Sequence, residues 1–246
     1  MKTFSYVTNL PELKSLPEEY IDGKRHYITP NGIKVPSVTT VLGHFSKDGI
    51  TKWQEKIGIV EADKIKNRAA TRGTKFHAMM EKYLRNDETL FEGVMPDMKQ
   101  AFNDARSTIN KIDNIYYLES QLYSEVIGLA GRTDVIAEYD GVPSIIDFKT
   151  SLRLKKEEWI DSYREQGTAY SLMFEEMTGI RIDQVVVIIS VDGEDKPQVF
   201  TNNRDDYTDS LMNKIRIYQK DNSHVCRHLD FRHLCRYVWR LRLVES

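Results

Sequence analysis

Only two cysteines, Cys226 and Cys235, occur in 246 residues, and they lie close together near the C-terminus. That excludes a disulfide framework and makes a reducing, cytoplasmic setting the expectation. Also missing is any apolar run near the roughly 18 residues that a membrane span needs, so no membrane partner is expected. The opening stretch Met-Lys-Thr-Phe-Ser-Tyr-Val-Thr-Asn has neither an apolar core nor an Arg-rich amphipathic pattern, so neither export nor organelle import is expected. Surplus positive charge is absent too. Lys and Arg number 35 against 37 Asp and Glu, a net charge of −2, which argues against coating a polyanion through bulk charge. A local surplus remains between Thr51 and Lys75, where Lys52, Lys56, Lys64, Lys66, Arg68, Arg72 and Lys75 outnumber Glu55, Glu61 and Asp63. Such a segment is either a solvated helical face or a phosphate-binding wall.

Repeats and low-complexity linkers are lacking as well. The chain therefore reads as one α/β domain over 1–222, with helices on both sides of a mixed sheet, followed by an Arg-rich tail over 223–246. Tyr27 to Thr29 and Ile33 to Val35 flank Pro30-Asn31-Gly32 and predict a hairpin, since Asn-Gly tolerates the positive φ of a tight turn. Pro36-Ser37 then opens a helix through Thr39, Thr40 and Leu42. From Thr51 to about Arg85 the pattern is helical, with a break expected near Arg72-Gly73-Thr74, and Phe76, Met80, Tyr83 and Leu84 form an apolar stripe. A further helix is expected over Asp97 to Ile112, with Met98, Phe102 and Ile109 inward. Residues 27–112 are thus mainly helical, and 113–222 supply the sheet. Strands are expected over Tyr116 to Glu125, Leu129 to Tyr139 and Val142 to Lys149, with Asp140-Gly141 turning between the last two. A helix follows from about Lys156 to Met177, ending at Gly179. Val185 to Val191 reads as a buried strand, Gln198 to Thr201 as its hairpin partner, and Asp205 to Tyr218 as a last helix.

The chemistry gathers in the strands. Asp134 is expected to close one β-type run, and Asp147 lies near the end of the next, with Lys149 two residues on. Side chains alternate along a strand, so Asp147 and Lys149 share one face while Ile146 and Phe148 point to the other. Asp147 follows Ser144-Ile145-Ile146, a run where an unpaired carboxylate would be costly. Two carboxylates on adjacent strands, with the Phe148 carbonyl, suit Mg²⁺, which takes few protein ligands besides water and phosphate oxygens. Such an ion polarises a phosphoryl oxygen and acidifies its water, while Lys149 can orient that water and offset phosphate charge. Glu119, one strand earlier, is a candidate to complete the metal shell, and Glu125 is a weaker one. Gln166 and Tyr170 are four apart on a helix and face the same way, so Gln166 can reach DNA or a metal-bound water while Tyr170 packs beneath it. His77 borders the apolar stripe and can reach the same centre. The blander reading of each is a solvated acid, a Lys149–Asp147 ion pair or a structural histidine.

Together, Gly128-x-x-Gly131-x-x-Asp134, twelve residues, Asp147-Phe148-Lys149-Thr150, then Gln166-x-x-x-Tyr170, with His77 upstream, resembles the RecB-type branch of the PD-(D/E)XK nucleases. A closer likeness is to the mitochondrial genome maintenance exonuclease family. It rests on Val35-Pro36-Ser37-Val38-Thr39 with Val41-Leu42, Trp53, the Gly73 to His77 segment and Leu118-Glu119-Ser120, and runs over about 27–220. The resemblance implies a restriction-endonuclease-like core, a mixed central sheet flanked by helices, with an N-terminal helical region covering the site. It implies degradation of single-stranded DNA from free ends in replication, repair or recombination, using Mg²⁺ or Mn²⁺. By position, Asp134 and Asp147 would be metal ligands and Lys149 the catalytic lysine. Glu119 and His77 would support the metal centre, and Gln166 and Tyr170 the motif that follows it. The region over 27–112 would enclose the strand, with Ser37, Thr39, Lys52, Arg72, Lys75, Thr150, Ser151 and Gln166 as nucleic-acid contacts. Replication or recombination proteins would be partners.

Two competing readings remain at this level. One is a single-stranded nucleic-acid-binding module that does not cut; the other is an endonuclease using the same metal site. The tail carries His224, Cys226, His228, His233 and Cys235 among arginines, but their spacing matches no standard zinc site. Its other reading is an amphipathic helix striped by Phe231, Leu234, Val238 and Leu241.

Overall fold

Ten residues from Val142 to Ser151 form the strand on which the rest of the fold is organised. The computed structural model describes residues 1–222; the expectations for the His/Cys/Arg tail lie outside the described residues. In chain order the elements are β1 (Glu18–Ile21), β2 (Lys24–Ile28), β3 (Lys34–Pro36), α1 (Val38–His44), α2 (Lys47–Ile57), α3 (Ile59–Leu84) and α4 (Pro96–Ile109). Then come β4 (Ile112–Ser124), β5 (Leu129–Tyr139), β6 (Val142–Ser151), α5 (Asp161–Thr178), β7 (Gln184–Val191), β8 (Gln198–Asn203) and α6 (Asp205–Asp221). No helix among the described residues is long and apolar enough to cross a membrane.

The main sheet has the order β4-β5-β6-β7-β8; β6 and β7 run parallel and the other pairs antiparallel. A parallel neighbour needs a crossover, and α5 is that crossover. A second, three-stranded meander β1-β2-β3 precedes the helices. The period-2 pattern sorts β6 between two layers. Ile146 and Phe148 pack with Phe76, Met80, Leu84 and Phe102 of α3 and α4. Ile145 packs with Ala169, Met173 and Phe174 of α5 and with Leu211 and Ile215 of α6. Gly167 allows the α5 layer to sit close, since a Cβ there would come within 2.2 Å of Val185 Cγ1.

Four positions differ from the sequence expectation. The helix over 59–84 runs unbroken through Arg72-Gly73-Thr74, and the break falls at Gly58, whose φ of +86° suits a residue without a Cβ. Gly73 lies within that helix, and a Cβ there would make only an ordinary contact with Thr150 Oγ1 of β6, at 3.8 Å. The helix expected from Lys156 begins at Asp161, after a single 3₁₀ turn at Glu157–Trp159. Asp134 sits within β5 rather than at its end, and Ile112 opens β4 rather than closing α4.

Candidate active site

β5 and β6 are laddered from Tyr139–Val142 up to Val135–Ile146, and the register stops there. The next pair by count would be Asp134 and Asp147. At that point the Phe148 amide donates to Asp134 Oδ2 at 2.8 Å, so a side chain takes the place of a strand carbonyl. The strands part and their acids are left at the fork.

Across the other edge of β5, Glu119 of β4 lies between the paired Leu118–Val135 and Ser120–Thr133 positions. Its φ is +50°, and among the described positive-φ residues it alone is neither glycine, asparagine nor aspartate. Left-handed backbone at a glutamate within a strand is strained, and such strain clusters at functional sites. Its result here is a carboxylate turned toward Asp134. His77, on α3, brings its Nδ1 to 3.4 Å from Asp134 Oδ1 and its ring edge-on to Phe148. His77, Glu119 and Asp134 each offer a ligand atom, all within 4.8 Å of one another. Donors about 2.0–2.6 Å from a shared divalent ion are separated by no more than about 5 Å, so this set fits one.

Asp147 is buried beside residues that the sequence motif already contains. Lys149 ion-pairs with its Oδ2, and Gln166 Nε2 donates to its Oδ1 at 3.2 Å. The same amide reaches the Tyr170 hydroxyl at 3.2 Å. Gln166 thus orients Asp147, with Tyr170 beneath it, as expected from their shared helical face. Gly131 makes room for that tyrosine: a Cβ there would stand 2.8 Å from Tyr170 Cε1. The structure therefore divides the proposed ligands. Asp134 and Glu119 group with His77, whereas Asp147 belongs to the Lys149–Gln166 cluster next to them. Phe148 contributes its amide.

Charge at the fork is concentrated. Burial raises the Asp147 carboxyl to about 6, against the pull of Lys149 and with the push of Asp134. Burial and then Asp134 raise Glu119 to about 7. Burial opposes charge on His77, but the hydrogen bond and charge of Asp134 outweigh it and lift the imidazole above its ordinary value. Asp134 is correspondingly held low by His77 and Lys149, despite burial. Burial also works against the Lys149 ammonium, yet Asp147 and Asp134 overcome it, so the group is raised and stays protonated. An excess of acids that repel one another, with a single ammonium among them, is the electrostatic signature of a cation site.

The candidate nucleic-acid contacts fare unequally. Ser37 is buried, and its hydroxyl caps α1 by accepting from the Thr40 amide at 3.0 Å, so it is committed to the fold. The sequence expectation set this hydroxyl against phosphate; in the folded chain it serves as the cap. Thr39 and Lys52 are exposed, and Lys75 is exposed on α3. Thr150 and Ser151 are half-buried and line a groove of about 400 Å³ with Trp53, Arg72, Arg153 and Lys155. Arg72 is ion-paired with Asp192. Glu125 lies past β4 and accepts from Asn31 at 2.9 Å, away from the fork.

One residue at the site escaped the sequence reading. The Tyr163 ring lies 5.2 Å from Lys149 Nζ, a cation–π contact that steadies the ammonium. Tyr163, Gln166 and Tyr170 are spaced by three and four, so helix periodicity places Tyr163 on the same face.

Residues 52–237 match the PD-(D/E)XK nuclease superfamily, and the chain belongs to that superfamily. Its fold agrees: a five-stranded mixed sheet flanked by helices, with acids and a lysine at a strand fork. Nucleases of this superfamily use divalent metals, and the His77–Glu119–Asp134 cluster is a candidate place for one. The chain is similar to human mitochondrial genome maintenance exonuclease 1, at 30% identity over 131 residues, which are 49% of this chain and 38% of that protein. It therefore spans less than two fifths of the length of the curated relative that it matches. Among solved structures it is similar to the crystal structure of SSO0001, at 13% identity and a TM-score of 0.42, covering 76% of this chain and 75% of the other.

Proposed function

We propose that this nuclease hydrolyses phosphodiester bonds of single-stranded DNA from free ends, with Mg²⁺ as its cofactor and Mn²⁺ able to substitute. The observation that carries the reading is the adjacency of two clusters at the β5–β6 fork. One is His77–Glu119–Asp134, whose ligand atoms lie within 4.8 Å; the other is Asp147 held by Lys149 and Gln166. When bound, a divalent ion there would polarise the phosphoryl oxygen and lower the pKa of a coordinated water.

The chain's own groups supply the rest. His77, Glu119 and Asp134 would hold the ion, with Asp147 completing its charge balance from the neighbouring strand. Lys149, kept as an ammonium, offsets charge that accumulates on the phosphate and orients the water more readily than it removes a proton. Gln166 fixes the rotamer of Asp147, and Tyr163 steadies Lys149. The groove of Trp53, Thr150, Ser151, Arg153 and Lys155 includes Thr150, the residue after Lys149 on β6. Its cations suit a backbone and its indole suits any base, a combination tolerant of sequence. Action from ends rests on the name of the human relative, and on the proposal that the α1–α4 region, whose His77 reaches the fork, covers the site. A role in DNA replication, repair or recombination, with proteins of those processes as partners, follows the same reading.

The test uses end-labelled linear single strands, with 5′ or 3′ blocks, beside circular ones, with Mg²⁺ or EDTA. Mg²⁺-dependent shortening of linear strands with circles left intact is expected. Efficient cutting of circles would refute obligate end entry, and the absence of hydrolysis with any divalent ion would refute the nuclease reading.

A further inference from the structure

Arg72 stands where two cavities meet. On one side is the groove of Trp53 and Thr150. On the other, a cavity of about 340 Å³ lies between the flank of α3 and the start of α4, walled by Arg68, Thr71, Lys75 and Asp97. Arg68, Arg72 and Lys75 are spaced by four and three, so they share one face of α3 and span about 10 Å along it. Arg68 and Lys75 are exposed and make no hydrogen bond or ion pair among the described residues.

Arg72 is the exception in that row. Its Nη1 contacts Asp192, in the turn after β7, while its Nε is buried without an acceptor. A guanidinium presents its donors as a fixed fork, and a buried donor left unanswered is unfavourable. Asp192 is tied by its own amide to the Ser151 carbonyl at 2.9 Å, which holds the turn in place. Asp97, the second acid near Arg72, lines the cavity without an ion pair among the described residues. A phosphodiester has two free oxygens and can answer Nε and Nη together, which the single-oxygen contact from Asp192 does not.

We propose that Arg72 is a phosphodiester subsite which Asp192 occupies in the free protein. The carboxylate stands in for a backbone phosphate. An entering strand displaces it, and the two cavities become one basic track past Arg68 and Lys75. This rests on the single-strand nuclease reading and adds to it an internal competitor for the substrate.

The experiment measures anisotropy of a fluorescein-labelled oligothymidylate, with EDTA present to prevent cleavage, over a range of salt. Asp192→Asn, a substitution that a turn tolerates, is expected to tighten binding by about fivefold at moderate salt. Asp192→Ser provides a second variant should the first fold poorly. Glu194→Gln removes a charge from the same turn without touching Arg72, and is expected to change affinity much less. In an Arg72→Gln background the gain from Asp192→Asn disappears, which separates a direct contact from a general change in charge. Arg68→Gln and Lys75→Gln each weaken binding and reduce the slope of log affinity against log salt by about 0.7. Equal or weaker binding by both Asp192 variants, or the same gain with Glu194→Gln or without Arg72, overturns the proposal. Neither result touches the nuclease reading, which fails instead if wild-type protein shortens no single strand with any divalent ion.

Discussion

The Phe148 amide donates to Asp134 Oδ2 at 2.8 Å, and this one bond ties the opening of the sheet to the carboxylate that faces His77. Asp134 is therefore both a strut and a candidate ligand, and the two duties separate on substitution. Asp134→Ala leaves the Phe148 amide unpaired and is expected to cost about 1–3 kcal/mol of stability by denaturant unfolding. Asp134→Asn keeps an acceptor oxygen and should recover most of that stability. Both variants are expected to lack cleavage, so a stable and fully active Asp134→Asn protein would contradict the ligand assignment.

Asp147 and Lys149 are expected to behave differently from each other. Asp147→Asn retains a partner for Gln166 and removes a carboxylate that burial disfavours, but it also takes the anion from Lys149, so stability should change little. Lys149→Ala leaves Asp147 buried without its ammonium and should lower the melting temperature. Hydrolysis is expected to fall at least about a thousandfold in each, measured as Mg²⁺-dependent nucleotide release. Near-normal turnover by either would remove it from the catalytic set.

Glu119 sets an expected pH dependence of the metal-free protein. Its carboxyl rises from 4.5 to about 7 on folding, so between those values the folded chain binds more protons than the unfolded one. Stability then decreases as pH climbs from about 4.5 to about 7, by about 1–2 kcal/mol once solvent screening is allowed for. Glu119→Gln should flatten that part of the profile. Mn²⁺ or Mg²⁺ should reverse it, because the ion favours the ionised form. Melting temperatures at stepped pH, with and without divalent ion, read the effect directly.

Gly131 is the space into which Tyr170 fits. A methyl at this position meets the ring at 2.8 Å, so Gly131→Ala must displace Tyr170, and with it the hydroxyl to which Gln166 donates. Destabilisation of about 1–3 kcal/mol is expected, together with a drop in turnover larger than any change in substrate binding. Tyr170→Phe in the same background should leave the steric penalty in place, and Tyr170→Leu should relieve it.

Much of the sheet was legible because turn residues bound the strand-like runs, with Asp140-Gly141 marking the tight turn between β5 and β6 and a continuous apolar run marking β7. The α3 stripe of Phe76, Met80 and Leu84 was legible from its spacing of four, the helical period. The hairpin of β1 with β2 across Asp22-Gly23 was not, because Glu18 to Ile21 is short and half-polar. Gly73 was misleading, since a glycine in a helical pattern can mark a break or simply be tolerated, and here the helix runs through it. At the site, spacing gave Asp134, Asp147, Lys149, Gln166 and Tyr170. It could not divide them into two clusters, because the division depends on where β5 and β6 separate. Nor could it show that Ser37 is used up as a cap, or that Arg72 and Asp192, far apart in sequence, meet.

Because β6 and β7 run parallel, the helix that carries Gln166 and Tyr170 is also the only covalent route between the two central strands. A ribosome that has released the chain only through Ser151 has delivered every acid of the fork but neither the amide that aims Asp147 nor the strand that seats the helix. Assembly of the reactive centre is thereby deferred until the chain has emerged past Val191, so a truncated product would carry the acids without the means to align them.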